Sequence, residues 1–217
     1  MPSQTADESG DSDSGNELRS SKSSPDCAAP GRLIVVSGPS GVGKSTIVNA
    51  LAERHSFHFS VSVTTRKARP GEANGVEYYF LDEDDFERLR NDGALLEWAE
   101  YSGNLYGTPR GPVLDRIEAG DDVLLDIEVL GAIQVKTSFP DALMLFLTPP
   151  TLEALEKRLR SRGDTSEEDI ARRLAIARWQ LEVAEERFDH IVVNDSIEDA
   201  VNRILRILRA PSTKADR

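Results

Sequence analysis

The stretch "LIVVSGPSGVGKSTIVNALAE", residues 33–53, decides how the rest of the chain is read. Its first five residues are a continuous apolar run, the pattern of a short strand buried on both faces. Glycines follow, then a lysine and hydroxyls, and after Lys44 the apolar residues recur at helical spacing. A strand, a glycine loop and a helix in that order make an anion site. Gly38, Gly41 and Gly43 let successive N–H groups turn into one concavity. The helix aims its positive end at the same point. "GPSGVGKS" (38–45) has the form G-x-x-x-x-G-K-[ST]. In that form Lys44 supplies a point charge for the β- and γ-phosphates and the Ser45 hydroxyl is a ligand for Mg²⁺. The loop Gly38, Pro39, Ser40, Gly41, Val42 and Gly43, with Lys44, Ser45 and Thr46, is therefore expected to hold a nucleoside triphosphate, with Mg²⁺ as the cofactor. The plainer alternative is a glycine turn with Ser45 as a helix cap.

The bulk composition sets limits around that reading. The chain has 217 residues, enough for one domain, and is 39% hydrophobic and 29% charged, as a globular protein with a real core should be. A net charge of −12 argues against a broad nucleic-acid surface, which needs a basic face. It leaves room for local arginine clusters around a small anion. The single cysteine, Cys27, excludes an internal disulfide framework and fits a reducing compartment. No apolar run approaches the roughly 18 residues of a membrane helix, and no signal-peptide pattern precedes Gly31. A cytoplasmic protein is expected.

Residues 1–30 are rich in Ser, Asp, Gly and Pro and are expected to be disordered. From Gly31 onward strands alternate with helices, at 33–37, 44–54, 110–119, 122–128, 129–137, 142–148, 190–195 and the closing helix. That alternation predicts an α/β fold with a parallel sheet flanked by helices. The middle of the chain differs. "FHFSVSVTT" (57–65) reads as one strand, "VEYYF" (76–80) as another, and "ALLEWAEYSGNLYG" (94–107) as strand, turn, strand. Residues 58–108 are expected to fold as an inserted mixed or antiparallel lobe. "TLEALEKRLRSRG" and "SEEDIARRLAIARWQLEVAEERF" predict two amphipathic helices over 151–188. The core is then 31–57, 109–150 and 189–210.

The strand "DVLLDIE" ends in acids, and Asp126 has the place of a carboxylate that meets the metal, directly or through water. Its plainer role is to cap the next helix. No N-K-x-D sequence occurs, so a switch GTPase is not indicated. The arginines Arg158 and Arg162 stand four apart on one helix face, which is mildly unfavourable without an anion between them. Three histidines, His55, His58 and His190, enter no catalytic grouping.

Taken together, "GPSGVGKST", "SVSVTTRKARPGEANGVEYYF", "LLEWAEYSGNLYGTP", "LLDIE", "PPTLEALEKRLRSRG" and "RRL" resemble guanylate kinases in order and spacing, over about residues 32–208. The resemblance implies a P-loop core with a GMP-binding lobe and a helical lid. It implies transfer of the ATP γ-phosphoryl to GMP or dGMP, giving ADP and GDP, in purine metabolism. ATP and GMP would be the partners, with no nucleic acid and no membrane. Matching positions give Arg66, Arg69, Tyr78 and Tyr106 to the GMP phosphate; guanidinium forks suit phosphate oxygens. Ser62, Thr108 and Glu128 fall at guanine-binding positions. Relatives often carry serine in place of Thr108, aspartate in place of Glu128 and glutamine in place of Leu130. Arg158, Arg162 and Arg173 match lid arginines that reach ATP, and Asn194 lies near the adenine. Arg160, Arg172 and Arg178 have no such firm match.

Glu97, between leucine and tryptophan, is expected to be partly buried, and a buried carboxylate needs donors. Guanine offers N1–H and N2–H₂ side by side, which an ionised carboxylate accepts. Adenine offers a lone pair at N1. Two rivals share the fold: an interaction module of the scaffold type and a sugar-phosphate kinase. Lys44 and Ser45 speak against the first, Glu97 with Ser62 and Thr108 against the second.

Overall fold

The computed structural model describes residues 30–101, 103–161 and 166–210. Among them run β1 (Leu33–Ser37), α1 (Lys44–Ala52), β2 (His58–Phe59), β3 (Ser62–Thr64), β4 (Tyr78–Phe80), α2 (Glu83–Asn91), β5 (Leu95–Tyr101), β6 (Asn104–Pro109) and α3 (Arg110–Glu118). Then come β7 (Val123–Asp126), α4 (Val129–Ser138), β8 (Leu143–Thr148), α5 (Leu152–Arg160), α6 (Glu167–Arg187), β9 (His190–Val193) and α7 (Ile197–Arg209).

The larger sheet is parallel throughout, in the order β2-β7-β1-β8-β9. Every residue of β1 is buried, because the sheet is covered on both faces. Alternate side chains feed two cores. Ile34 and Val36 pack with Ile47 and Leu51 of α1 and Val201, Ile204 and Leu208 of α7. Leu33 and Val35 pack with Val113 and Ile117 of α3 and Ala132 and Val135 of α4. From β1 the chain passes through α1 toward β2, and from its neighbour β8 it passes through α5 and α6 toward β9, so connections leave the C-terminal ends of these two strands in opposite directions. That crevice is where open α/β sheets bind ligands. At the other end of the sheet a charged knot closes the structure. Arg32 donates to both oxygens of Asp122, at 3.1 and 2.5 Å, and to the Leu208 carbonyl at 2.6 Å. His55 lies 2.9 Å from the same carboxylate.

The smaller sheet has the order β4-β3-β6-β5. It is mixed: β3 runs parallel to β4 and antiparallel to β6. The single strand expected over 57–65 is two strands in two different sheets, β2 on β7 and β3 on β6. Both pieces alternate in the same way, so periodicity alone does not reveal the change of sheet at Ser60 and Val61. The outer edge of β5 is closed by α4. Gln134 accepts from the Trp98 N–H at 3.1 Å and donates to the Trp98 carbonyl at 2.9 Å. Ser138, one turn on, donates to the Leu96 carbonyl at 3.2 Å.

Four helix starts are specified by a side-chain cap, whereas α1, α3 and α4 have neither such a cap nor an acid in the first turn. Asp82, Thr151, Ser166 and Ser196 cap α2, α5, α6 and α7 with their own side chains. α1 begins at Gly43 with neither a side-chain cap nor an acid in its first turn. Its free N–H groups and positive end are left for something else.

Candidate active site

Gly38, Gly41 and Gly43 all have positive φ, at 153°, 87° and 100°. Gly43 sits in the left-handed region that side chains resist, and a Cβ there would lie 2.8 Å from the Asn194 amide nitrogen. Among the described residues the N–H groups of Gly41, Gly43, Lys44, Ser45 and Thr46 donate to no other backbone group. Buried Pro39 gives its carbonyl to the Val42 N–H at 3.1 Å, which closes the loop. Lys44 folds back over it, donating to the Gly38 carbonyl at 2.9 Å, with Glu128 4.0 Å away. The result is a ring of donors with a lysine at its rim, an anion cradle.

Three residues expected to contact ATP brace this loop in the structure. Asn194, 5% exposed, donates its amide to the Val42 carbonyl at 2.7 Å. Arg158 donates to the same carbonyl at 3.1 Å and to the Asn194 carbonyl at 2.8 Å. Arg173, from α6, donates to the Ser40 hydroxyl at 3.2 Å. Arg162 lies outside the described residues. Arg160 is taken up by Glu156 and Glu167, and Arg172 by Asp169.

Beside the cradle, β7 ends in Asp126. The residue is exposed at its surface, but partial loss of water around the carboxyl pushes it up; the Lys44 charge works against this and Glu128 adds to it. Ser45 and Thr46 are exposed on the first turn of α1. Glu128 is the cap position of α4 and is met by the Gln180 amide at 3.4 Å. Among the described residues no group of three or more His, Cys, Asp or Glu could hold a metal alone.

The small sheet aligns the remaining candidates by register. Tyr78 pairs with Ser62, and Glu97 pairs with Thr108. The β3–β6 pairing, Thr64 with Tyr106 and Val63 with Gly107, continues to set Ser62 across from Thr108. Tyr78, Ser62, Thr108 and Glu97 thus form one row across four strands, on one face, with Tyr106 in the next row. An extra residue in β5 between Leu95 and Glu97 sends Leu96 into the main core and turns Glu97 onto the row. The Thr108 hydroxyl donates to Glu97 Oε1 at 2.6 Å. Oε2 accepts no hydrogen bond among the described residues. Burial pushes the Glu97 carboxyl up, and the Thr108 bond only partly opposes it.

At the other end of the row stands Arg66. Its guanidinium lies 5.4 Å from the Tyr78 ring centre and 5.7 Å from that of Phe80. The Tyr78 and Tyr106 rings meet edge to face, with centres 5.9 Å apart. A cation backed by two tyrosines closes one end of the face, and a carboxylate with a free oxygen closes the other.

The similarity of the chain to known proteins agrees with this plan. The family model described as guanylate kinase matches residues 30–211. This chain belongs to the guanylate kinase family. It is 52% identical to the guanylate kinase of Synechococcus sp. (strain JA-3-3Ab), over 85% of each chain. It is 53% identical to that of Thermobifida fusca (strain YX), covering 85% of this chain and 94% of the relative. The crystal structure of guanylate kinase from Anaplasma phagocytophilum matches with a TM-score of 0.66 at 36% identity, over 86% of this chain and 89% of that one.

One residue that holds a candidate site arginine in place is not evident from the sequence of this guanylate kinase family member. Glu72 accepts both terminal nitrogens of Arg66, each at 2.9 Å, and the Arg69 N–H at 2.8 Å. The Arg66 bond is the chief cause that holds its carboxyl low. A signal was present: the turn "RKARPGE" carries three cations and one acid. The Arg69 side chain itself is exposed.

Proposed function

We propose that this chain transfers the γ-phosphoryl group of ATP to GMP and, because the base is the element recognised, to dGMP. The observation that carries this reading is the Glu97 carboxylate. It is buried, tied to Thr108 through one oxygen, and leaves the other free on the same face as Ser62, Tyr78 and Tyr106. A guanine brings two adjacent N–H donors to such an acceptor, and Glu128 serves as the second acid.

Residues 31–57, 109–150 and 189–210 act as the nucleotide core, 58–108 as the GMP lobe and 151–188 as the lid. The Gly38–Gly43 loop, with Lys44 and Thr46, cradles the ATP phosphates. Arg66, Arg69, Tyr78 and Tyr106 hold the GMP phosphate, and Asn194 keeps the adenine end of the loop in shape. A phosphate oxygen of GMP bonds to the γ-phosphorus while the bond from that phosphorus to the β–γ bridging oxygen breaks, and ADP leaves. A phosphate monoester has its second pKa near 6, so the attacking oxygen is ionised without a protein base. The protein has to align two polyanions and offset their charge. Lys44, Arg158, Arg162 and Arg173 supply that charge.

The donor set fits Mg²⁺. Ser45 and Asp126 are oxygen ligands of the right hardness, and a cation's charge would stabilise the ionised Asp126 carboxylate. With so few protein ligands the ion would arrive on the triphosphate. When bound it neutralises charge on the β- and γ-phosphates. We place the reaction in the cytoplasm, where a single cysteine fits and both nucleotides are used.

A coupled ADP-release assay over GMP, dGMP, AMP, IMP and ribose bisphosphate tests the proposal. GMP and dGMP should be preferred by orders of magnitude over AMP, since a carboxylate left unpaired costs on the order of 10⁴ in selectivity. Turnover of ribose bisphosphate alone, or of no acceptor, would sink it.

A further inference from the structure

α4 carries a glycine that its own backbone does not require. Gly131 stands in the first turn, buried, and is absent from the residues with positive φ. Glycine is the poorest helix former after proline, so an alanine would ordinarily be favoured there. What excludes a side chain is the neighbouring strand. A Cβ on Gly131 would lie 2.6 Å from Glu97 Oε2, 3.3 Å from Cδ and 3.5 Å from Cγ, its three nearest neighbours. All three belong to the Glu97 side chain, and the nearest is the oxygen that Thr108 does not hold.

We propose that Gly131 is a specificity-determining residue: the space left by its missing Cβ sets where Glu97 Oε2 stands, and so how this protein reads a purine base. It acts through Glu97, as a positioning residue, and the inference rests on Glu97 being the guanine acceptor. The geometry dictates what yields on substitution. The carboxylate is the far end of a flexible side chain, whereas the helix backbone is packed between Val129 and Ala132, each 1% exposed or less. The added methyl therefore displaces Oε2 while Oε1 is still tethered to Thr108 at 2.6 Å. The two oxygens can then no longer face two adjacent N–H groups. IMP keeps N1–H and lacks the N2 amine, so it depends on one of these bonds where GMP depends on both.

The test measures Gly131→Ala with GMP, IMP and ATP, alongside thermal unfolding. A displacement of the order of 1 Å costs about 10²-fold. The expected result is a fall of roughly 10- to 100-fold in kcat/KM for GMP, with an unchanged KM for ATP and an unchanged or higher Tm. The preference for GMP over IMP should shrink by about tenfold. Glu97→Asp, which withdraws the carboxylate by one methylene, should lose less on adding Gly131→Ala than the wild type does. A Gly131→Ala enzyme with the original GMP-to-IMP preference overturns the inference and leaves the function standing. A wild-type enzyme inert toward GMP overturns both. If Gly131→Ala fails to fold, Glu97→Ala/Gly131→Ala decides. Recovery of folding supports the carboxylate clash, and failure of that variant too refutes it.

Discussion

The side-chain amide of Asn194 donates to the carbonyl oxygen of Val42 at 2.7 Å, and the Arg158 guanidinium reaches that same oxygen at 3.1 Å. One peptide group in the phosphate loop is thus gripped from β9's C-terminal end and from α5. With its carbonyl held away from the cradle, the neighbouring N–H groups are left facing inward. The loop's shape is consequently a property of distant parts of the chain as well as of its glycines.

Asn194→Ala should therefore weaken ATP without touching GMP. Losing one partner of a buried hydrogen bond costs about 1–3 kcal/mol, so the KM for ATP should rise by roughly 5- to 150-fold. Asn194→Asp should be worse than alanine, because it sets a carboxylate against a carbonyl. Isothermal titration with an ATP analogue reads both variants; equal affinities across all three proteins would remove the bracing role.

Glu72 should matter to GMP through Arg66. It fixes the Arg66 guanidinium through two bonds of 2.9 Å, and both side chains are less than one-fifth exposed, at 14% and 18%. Glu72→Gln keeps the size and loses the charge-assisted pair, so the KM for GMP should rise. The KM for ATP should stay put. Steady-state kinetics at saturating ATP would expose the idea as wrong if kcat fell while the KM for GMP did not move.

The raised carboxyl of Glu97 carries a pH signature. Its ionised form is the one that accepts guanine, so GMP affinity should decline on acidification starting above the ordinary glutamate range near 4.3. The stability sign is opposite to the usual acid case. Because the folded-state value lies above the unfolded one, ionised Glu97 destabilises the fold at neutral pH, and that cost fades as the pH drops. Glu97→Gln should hence raise Tm at pH 7, lose the advantage in acid, and forfeit GMP selectivity. A variant less stable than wild type at neutral pH would contradict this.

Asp122 predicts the reverse. Burial alone would push its carboxyl up, but the Arg32 guanidinium and the His55 ring together hold it below the usual aspartate range. Its contribution is present above about pH 4 and lost as the pH falls through the lowered folded-state value. Asp122→Asn should cost about 2 kcal/mol at pH 7, from bonds to a charged group. Tm should fall by a few degrees, a gap that narrows below pH 4. A pH-independent gap in differential scanning would show packing, not charge, to be responsible.

Much of this site could be read from the sequence, because its parts are local. The phosphate loop is contiguous, and the strand and helix periods around it are unambiguous. The row Tyr78–Ser62–Thr108–Glu97 was legible only as four separate motifs. Its alignment is a matter of register between strands far apart in the chain, which no single segment encodes. Gly131 and Asn194 were harder for the same reason: each serves a residue it meets only after folding. Glu72 was hidden by its surroundings, since an acid among loop cations reads as a solvated charge. The change of sheet after Phe59 left no trace in the alternation of 57–65.

Gln134 carries a last implication. A terminal strand with an unsatisfied peptide rim is a template onto which a foreign chain can add. Here the amide of Gln134 behaves as a one-residue counterfeit strand, using up both polar groups of Trp98. At Trp98 that edge of the sheet thereby ends within its own molecule, and no foreign strand can pair there without first displacing Gln134.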